Sequence, residues 1–265
     1  MKKLSILIST LLIASIVLVG CGSSGSKNTE SKDLLSKIKS EGKIRIGTEG
    51  TYAPYTFHDK SGKLTGFDVE IAEEVSKRIG VKPEFVETKW DGMFAGLDAK
   101  RFNMVVNQVG VKPDRQKKYD FSDSYIVSKA VLIVSSTDNT IKKFEDLKGK
   151  KSAQSLTSNL AKIAETNGAI LQPVDSFNQA IDLLTSKRVD ATVNDSLSYL
   201  DLKKQKPDLA IKVVDEEGNA QPSAIMFNKG NKELVDATNK ALTEMKADGA
   251  YSKISKKWFG TDVSK

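Results

Sequence analysis

Strand-like and helix-like hydrophobic patterns alternate along this chain, and this alternation limits the possible folds more than any other feature. Residues 43–47 alternate apolar and polar side chains as a strand does, whereas residues 67–75 place apolar side chains three and four positions apart, as a helix does. Residues 83–87, 90–99 and 104–107 continue as strand, helix and strand. A β-α-β-α-β order predicts a mostly parallel sheet with helices on both of its faces.

A second run of the same kind follows downstream. Its predicted strands are residues 129–134, 151–154, 170–173, 190–193 and 209–214, and its predicted helical segments are 144–147, 159–166, 177–185 and 197–203. After a polar loop at 215–221, one more strand (223–228) and a long helix (232–247) are predicted. The pattern is too irregular for a barrel of eight strand–helix repeats in about 250 residues. We therefore expect an α/β protein with two lobes.

The N-terminus has the layout of a secretory signal. Lys2 and Lys3 precede an almost wholly apolar stretch (4–19), which ends in small residues before Cys21. This arrangement resembles the signal of bacterial lipoproteins, in which cleavage precedes a lipid-modified cysteine. A membrane-spanning helix is the alternative, but such a helix needs about 20 apolar residues, and the stretch at 4–19 is shorter than that. We expect residues 1–20 to be the signal peptide and 21–33 a flexible tether, with the protein anchored by lipid to the extracytoplasmic face of the cell membrane.

Cysteine and histidine are too scarce for several kinds of site. Cys21 is the only cysteine and His58 the only histidine, so a disulfide framework, a thiol metal cluster and a histidine-based zinc site or triad are not expected. His58 is expected to face solvent at the end of a strand. The chain carries 41 basic and 34 acidic residues, but the lysines are scattered rather than clustered, which argues against nucleic-acid binding. The sequence therefore predicts no metal and no cofactor.

Residues 105–122, VVNQVGVKPDRQKKYDFS, contain the strongest candidate for a ligand site. A buried strand should end at Asn107 and Gln108, and Gly110 would let a backbone N–H approach a bound group. Pro113 favours a helix start, which places Arg115 in its first turn, close to the end of the strand. Small ligands bind at such strand ends in open α/β sheets, and a guanidinium suits a carboxylate.

Purely structural roles for the candidate side chains are also open. Arg115 could form a surface ion pair with Asp114 or Asp120, at little gain in stability. Tyr52 and Trp90 follow strands that should run parallel to the strand ending at Asn107, so they could flank a ligand, but each could equally be an ordinary core or rim aromatic.

The second run offers polar groups of matching chemistry. Ser158 and Asn159 lie between a predicted strand and a helix, where they could cap the helix or present free N–H groups to an anion. Asp195 follows a strand and opens a helix, so it could also be a simple cap. Its negative charge nevertheless complements Arg115. An arginine in one lobe and an aspartate in the other would grip the carboxylate and the ammonium of an amino acid.

Several motifs together resemble a known family. The segments GTEGTYAPYTF (47–57), LTGFDVEIAEEV (64–75) and DGAYSKISKKWFG (248–260), with the Arg115 segment, resemble bacterial solute-binding lipoproteins of polar amino-acid ABC transporters, over about residues 34–260. NQVGVKPDRQKKYDFS, AQSLTSN (153–159) and DATVNDS (190–196) are most similar to cystine-binding members. The resemblance implies the type II periplasmic-binding-protein (Venus flytrap) fold, with lobe 1 at 34–128 and 222–265, and lobe 2 at 129–221.

The resemblance also implies roles for individual residues. Arg115, with the N–H groups of Gly110 and Asn159, would bind the ligand carboxylate, and Asp195 would bind its ammonium. Further contacts would come from an oxygen of Asn107, from the rings of Tyr52 and Trp90, from Glu49 on a distal ammonium, and from the polar groups of Gln108 and Ser158.

These implications lead to one expected function and three alternatives. A monomeric receptor would capture an amino acid, L-cystine, by closure of its lobes and deliver it to an ABC permease. The first alternative is a dehydratase-like extracytoplasmic enzyme, for which His58 and Glu49 are the nearby acid or base candidates. The second is a receptor for another polar amino acid, such as arginine or glutamine. The third is a sensory domain for a partner kinase.

Overall fold

A computed structural model of the chain describes residues 33–264. The expected signal peptide, Cys21 and nearly all of the expected tether lie outside these residues. Within residues 33–264, no helix has the length and apolar character needed to cross a membrane.

Strands and helices alternate through the described residues. The strands are β1 (Lys43–Thr48), β2 (Thr51–Tyr52), β3 (Thr56–His58), β4 (Leu64–Thr65), β5 (Lys82–Glu87), β6 (Met104–Val105), β7 (Tyr119–Ser128), β8 (Ala130–Ser135), β9 (Lys151–Gln154), β10 (Ile170–Pro173), β11 (Ala191–Asp195), β12 (Ile211–Glu216) and β13 (Gln221–Asn228). The helices are α1 (Leu34–Glu41), α2 (Phe67–Ile79), α3 (Trp90–Asp98), α4 (Pro113–Lys118), α5 (Asn159–Thr166), α6 (Phe177–Thr185), α7 (Ser196–Gln205), α8 (Lys232–Ala247) and α9 (Ala250–Phe259), with a 3-10 helix at Phe144–Leu147.

Two five-stranded sheets organise the molecule, with strand orders β5-β1-β6-β13-β7 and β10-β9-β11-β8-β12. In the first, β5, β1 and β6 are parallel, and only β13 runs the opposite way, antiparallel to both β6 and β7. In the second, β8 is the reversed strand. Each sheet is thus mostly parallel, which confirms the predicted two-lobed α/β fold. We call the part built around the first sheet lobe 1 and the part built around the second sheet lobe 2.

Helix α2 shows how the sequence pattern becomes packing. Its predicted apolar face, Phe67, Ile71, Ala72 and Val75, is fully buried in the core of lobe 1. Burial of each of the larger side chains contributes about 1.5–3 kcal/mol relative to exposure. Gly80 ends the helix at φ 88°, a left-handed conformation that costs glycine little.

The chain passes between the two sheets at two places that lie side by side. Lys129 alone separates β7 from β8, and residues 217–220 separate β12 from β13. Ser128 and Gln221 are partners in the antiparallel β7–β13 pair, so the two connections are neighbours. The last strand and α8 therefore return to lobe 1, with β13 inserted between β6 and β7.

Some elements differ from the sequence predictions. Strand β7, strands β2 and β4, and helices α1 and α9 were not predicted, whereas β3 ends at His58 as expected. The β7 sequence, YDFSDSYIVS, carries polar residues on positions that become partly buried, so it lacks a clean alternation. Strands β11 and β12 end two residues later than predicted, because β-pairing with β8 continues into polar residues.

Candidate functional site

A cavity of about 90 Å³ lies between the two lobes, at the carboxyl ends of the parallel strands. One water needs roughly 10–15 Å³ of such volume, so the cavity admits a ligand of several heavy atoms. Nine of the ten residues predicted to bind ligand line it: Glu49, Tyr52, Trp90, Asn107, Gln108, Gly110, Ser158, Asn159 and Asp195. The tenth, Arg115, is not among the lining residues, although it contacts two of them, Gly110 and Trp90.

Arg115 is a buried cation held by neutral groups. It lies in the first turns of α4, after Pro113 at the helix start as predicted, and is only 8% exposed. Nη1 donates to the Gly110 carbonyl at 3.0 Å, and Nη2 donates to the Thr157 carbonyl of lobe 2 at 3.4 Å. Burial lowers the pKa of this guanidinium.

Arg115 forms no ion pair within residues 33–264, although the charge of its neighbour Asp114 acts on it without direct contact. Its guanidinium carbon lies 5.5 Å from the Trp90 ring centre and 5.1 Å from that of Phe94, within cation–π range. No ion pair to Arg115 forms within residues 33–264, and Asp120 pairs with Lys229 instead. The surface ion pair considered from the sequence is therefore not formed. A buried cation that forms no ion pair favours an anionic ligand.

Asp195 is both a helix cap and a residue of the cavity wall. It ends β11, and Oδ1 accepts the N–H groups of Leu197 and Ser198 in the first turn of α7. The same carboxylate accepts the hydroxyls of Tyr55 and Ser128, which belong to lobe 1. Burial raises the pKa of Asp195, and the hydrogen bonds from the two hydroxyls oppose that rise. Asp195 thus caps α7 and also lines the cavity.

The Asn107 side chain is used to hold Glu49. Its Nδ2 donates to Glu49 Oε2 at 2.6 Å, while its Oδ1 accepts the Glu49 N–H at 2.8 Å and the Thr48 hydroxyl at 3.2 Å. Sequence reasoning gave Asn107 an oxygen for the ligand, but both ends of its amide are engaged within lobe 1. Burial raises the pKa of Glu49 to about 7, although the Asn107 hydrogen bond lowers it. Burial therefore favours the protonated form of Glu49.

Gln108 is held by Asp68, a residue that sequence reasoning missed. The backbone N–H and the Nε2 of Gln108 donate to the two oxygens of Asp68, at 2.8 and 2.7 Å. The Oε1 of Gln108 is buried without a hydrogen-bond partner, and so is the Nε1 of Trp90. Buried polar atoms in native proteins are nearly always satisfied. A ligand that offers an N–H to one atom and an oxygen to the other would satisfy both.

Other contacts between the lobes surround the cavity. The Tyr52 hydroxyl donates to Asn194 Oδ1 at 2.9 Å, so this predicted wall residue also joins the lobes. Asp91 Oδ1 accepts the N–H and the hydroxyl of Thr157, at 3.0 and 2.7 Å, and Lys89 pairs with Asp175 at 2.7 Å. The lobes are therefore closed on the cavity.

On the lobe 2 side, the start of α5 contributes a helix N-terminus. The Ser158 hydroxyl accepts the Ala161 N–H at 2.9 Å and so caps the helix, and Asn159 is its first residue. The first N–H groups of a helix have no partner within it, so they are suited to an anion. Gln154 and Asn194, which were not predicted, also line the cavity. Both lie at carboxyl ends of parallel strands, and the strand-end rule that selected Asn107 could have found them.

His58 lies away from the cavity. It ends β3, is exposed, and places Nε2 3.2 Å from Glu87 Oε1. Of the two acid–base candidates for an enzyme, only Glu49 lines the cavity. Within the described part of the chain, no group of three histidine, cysteine or acidic side chains could hold a metal ion.

With this geometry in place, sequence comparison decides the family. The profile of the bacterial extracellular solute-binding proteins, family 3, matches residues 44–261. The chain belongs to this family. As a family 3 solute-binding protein it is extracytoplasmic, in agreement with the predicted compartment. The L-cystine-binding protein TcyA of Bacillus subtilis (strain 168) is 49% identical over 267 residues, spanning 100% of this chain and 99% of that protein.

Solved structures of similar proteins share the two-lobed fold. The L-cystine solute receptor of Neisseria gonorrhoeae, unliganded and open, is 46% identical with a TM-score of 0.59, covering 87% of this chain and 98% of that one. An ancestral arginine-binding protein bound to arginine is 40% identical with a TM-score of 0.78, covering 82% and 98%. The higher TM-score belongs to the less identical, ligand-bound structure. The lobes of this family 3 protein are therefore placed more as in that structure than as in the open receptor, which agrees with the contacts around the cavity.

Proposed function

We propose that this protein is a receptor that captures L-cystine and delivers it to an ABC permease. One observation carries the proposal: Arg115 is a buried cation that forms no ion pair within residues 33–264, and it contacts the wall of a cavity that is also lined by Asp195. The two charges complement the carboxylate and the ammonium of an amino acid. The names of the relatives support amino acids as the ligand class and cystine in particular.

One amino-acid head of the ligand would lie between Arg115 and Asp195. Its carboxylate would accept from Arg115 and from the N–H groups of Gly110 and Asn159. Its ammonium would donate to Asp195, where the carboxylate is already oriented by the cap. Tyr52 and Trp90 would flank the bound molecule.

Cystine differs from the single-headed amino acids because it carries a second ammonium and a second carboxylate. Glu49 is the acid available for the second ammonium, with Gln108 and Ser158 as further polar partners on the cavity wall. Micromolar capture requires about −8 kcal/mol. A desolvated pair between arginine and a carboxylate, together with burial against aromatic rings, is of the right order to supply it.

Binding would be coupled to closure of the lobes. We place lobe 1 at 34–128 and 222–265 and lobe 2 at 129–221, with hinge segments at 128–131 and 221–223. The adjacency of the two connections supports one common hinge, since Ser128 and Gln221 are strand partners. A ligand would enter the open form, contact one lobe, and be enclosed when the other lobe rotates onto it.

The N-terminal sequence supports a membrane anchor. Cys21, which lies outside the described residues, would carry fatty-acyl chains such as palmitate after removal of the signal peptide. The tether would then hold a monomeric receptor near its permease.

A ligand screen tests this function. A soluble form lacking residues 1–21 would be scanned by thermal shift against all amino acids and cystine, without reductant. Cystine should raise the melting temperature most, since a ligand at a thousandfold excess over Kd adds about 4 kcal/mol. The matched control repeats the cystine measurement with reductant, which splits the ligand into two cysteines and should remove the shift.

Calorimetric competition separates the alternatives. If arginine or glutamine displaces cystine at equal concentration, the assignment of cystine is wrong and a single-headed ligand replaces it. Mass spectrometry of the recovered ligand addresses the enzyme alternative. A chemically changed ligand would overturn the proposed receptor function.

A further inference from the structure

Asp68 is a buried carboxylate whose role in binding was not evident from the sequence. It lies in the first turn of α2 and is fully buried. Its oxygens accept the backbone N–H and the Nε2 of Gln108, and no cation among residues 33–264 forms an ion pair with it. A buried charge is costly without a compensating partner. The contacts that compensate it are the two hydrogen bonds from Gln108, on the cavity wall, and one from the Tyr125 hydroxyl.

The contact with Asp68 fixes which end of the Gln108 amide faces which way. The ionised form of Asp68 only accepts hydrogen bonds, so it requires the NH₂ of Gln108 to point toward it and the amide oxygen to point elsewhere. That oxygen, Oε1, is buried and has no partner in the protein, and Gln108 lines the cavity. The backbone of Gln108 has φ 51°, which is uncommon for a residue other than glycine. The second hydrogen bond, from the Gln108 N–H, holds that conformation.

We propose that Asp68 is a positioning residue for ligand recognition: it orients Gln108 so that Oε1 accepts an N–H of the bound ligand. This inference rests on the proposed amino-acid binding function, because the N–H donor would be an ammonium of that ligand. Without Asp68 the amide could rotate and present its NH₂ to the ammonium, which would replace an acceptor by a repelling donor.

The simpler explanation is that Asp68 only stabilises the start of α2 and the loop after β6. An acidic residue in the first turn of a helix is favourable for that reason alone. The two explanations differ in one respect. A positioning role acts through the Gln108 side chain, whereas a stabilising role does not depend on it.

A double-mutant cycle measures this difference. Asp68→Asn, Gln108→Ala and the double variant would be made in the full chain, and L-cystine affinity measured by calorimetry without reductant. We expect Asp68→Asn to weaken binding at least tenfold in the wild-type background and less than twofold in the Gln108→Ala background. An equal loss in both backgrounds would overturn the proposal.

Ser76→Ala is the matched structural control. Ser76 is also polar and fully buried in α2, but its hydroxyl bonds the Ala72 carbonyl within the helix. Its removal should leave cystine affinity within twofold of the wild type. A loss as large as that of Asp68→Asn would show a general effect of α2, and the positioning role would be refuted.

Side-chain NMR of the ligand-free wild type tests the orientation without any variant that must fold around a changed Asp68. The Gln108 NH₂ signals, assigned by their absence in Gln108→Ala, should exchange with solvent much more slowly than those of exposed glutamines. Exchange as fast as at exposed glutamines would overturn the proposal. If the wild type binds no cystine, the proposed function fails, and this measurement still decides whether Asp68 fixes the amide.

Discussion

At the scale of single residues, the site contains a buried positive charge, that of Arg115, which forms no ion pair within residues 33–264. Arg115 is held by two carbonyls and two aromatic rings instead of a carboxylate. Desolvation of such a charge costs folding free energy, and a ligand carboxylate recovers it. Stability and binding should therefore respond in opposite directions to changes at Arg115.

Arg115→Met tests this opposition. The variant keeps the length and apolar stem of the side chain but removes the charge. We expect cystine binding to weaken by about 2–5 kcal/mol, because the buried ligand carboxylate is left unpaired, while the ligand-free melting temperature stays equal or rises. Calorimetry and thermal melts measure the two effects. Lys118→Ala, an exposed change in the same helix, is the control, and unchanged cystine affinity in Arg115→Met would remove Arg115 from the site.

Glu49 makes binding depend on pH. Its pKa is raised from 4.5 to about 7 by burial, so between these values the folded protein keeps a proton that the unfolded chain has lost. The unfolding free energy contributed by Glu49 is therefore highest below pH 4.5 and falls as the pH rises to about 7. An ammonium of the ligand prefers the charged carboxylate. Ligand affinity should consequently increase across the same range.

We expect the affinity for L-cystine to increase from about pH 5.5 to about pH 7.5, with proton release on binding. The pKa of Asp68 is also raised to about 7 by burial, so Glu49→Gln should remove only part of the increase. Calorimetry in buffers of different ionisation enthalpy counts the released protons. Glu84→Gln, at an exposed acid, should keep the full dependence, and a wild-type affinity that falls with rising pH would contradict the role of Glu49.

At the scale of elements, the start of α3 and the turn before α5 act together across the cleft. Asp91 in α3 accepts two hydrogen bonds from Thr157, and the Thr157 carbonyl accepts from Arg115. The arginine and the start of α5 are thus brought together only when the lobes are closed. The strength of this contact should determine how long a ligand stays enclosed.

Asp91→Ala should speed cystine dissociation by about fivefold, the equivalent of about 1 kcal/mol for lost hydrogen bonds. Association should change little, since the open form is not affected. Stopped-flow kinetics measure both rates. Asp175→Ala breaks the exposed Lys89–Asp175 pair between the same lobes and should have a smaller effect. Dissociation from Asp91→Ala at the wild-type rate would show that this contact does not hold the lobes closed.

The elements that could be predicted are those whose local pattern agrees with their packing. Helix α2 was found because its apolar spacing and its terminal Gly80 both predict a helix. Strand β7 was missed because Ser122, Asp123 and Ser124 interrupt the apolar pattern. The strand is stabilised instead by its antiparallel pairing with β13. Pairing between segments about a hundred residues apart leaves no local signal.

The residues of the site also divide into those with a local signal in the sequence and those without one. Asp195 could be selected because a strand end and a helix start are visible in the sequence. Asp68 could not be selected from the sequence, because its role depends on its hydrogen bonds with Gln108, which lies 40 positions away. The engagement of Asn107 with Glu49 was equally hidden, because it requires β1 and β6 to lie side by side.

At the scale of the whole molecule, recognition and anchoring are expected to be separable. The cavity is lined by residues between 49 and 223, whereas the expected lipid site is Cys21. Cys21→Ser should block lipid attachment and leave cystine affinity unchanged, because no cavity residue is altered. Detergent partitioning and mass spectrometry of the protein check the first effect. A serine variant that still partitions into detergent at the mature mass would contradict the lipoprotein assignment.

The insertion of β13 between β6 and β7 also sets the order in which the molecule can assemble. Residues 130–216 supply every strand of the second sheet, so that lobe can form from one continuous stretch. The first sheet lacks an interior strand until residues 221–228 are available, nearly a hundred residues after β7. Contacts between segments so distant in sequence form late. When the chain is synthesised from its N-terminus, lobe 1 is therefore completed last. A chain that stops before residue 221 would have only lobe 2 folded. It would have no closed cleft in which to retain a solute.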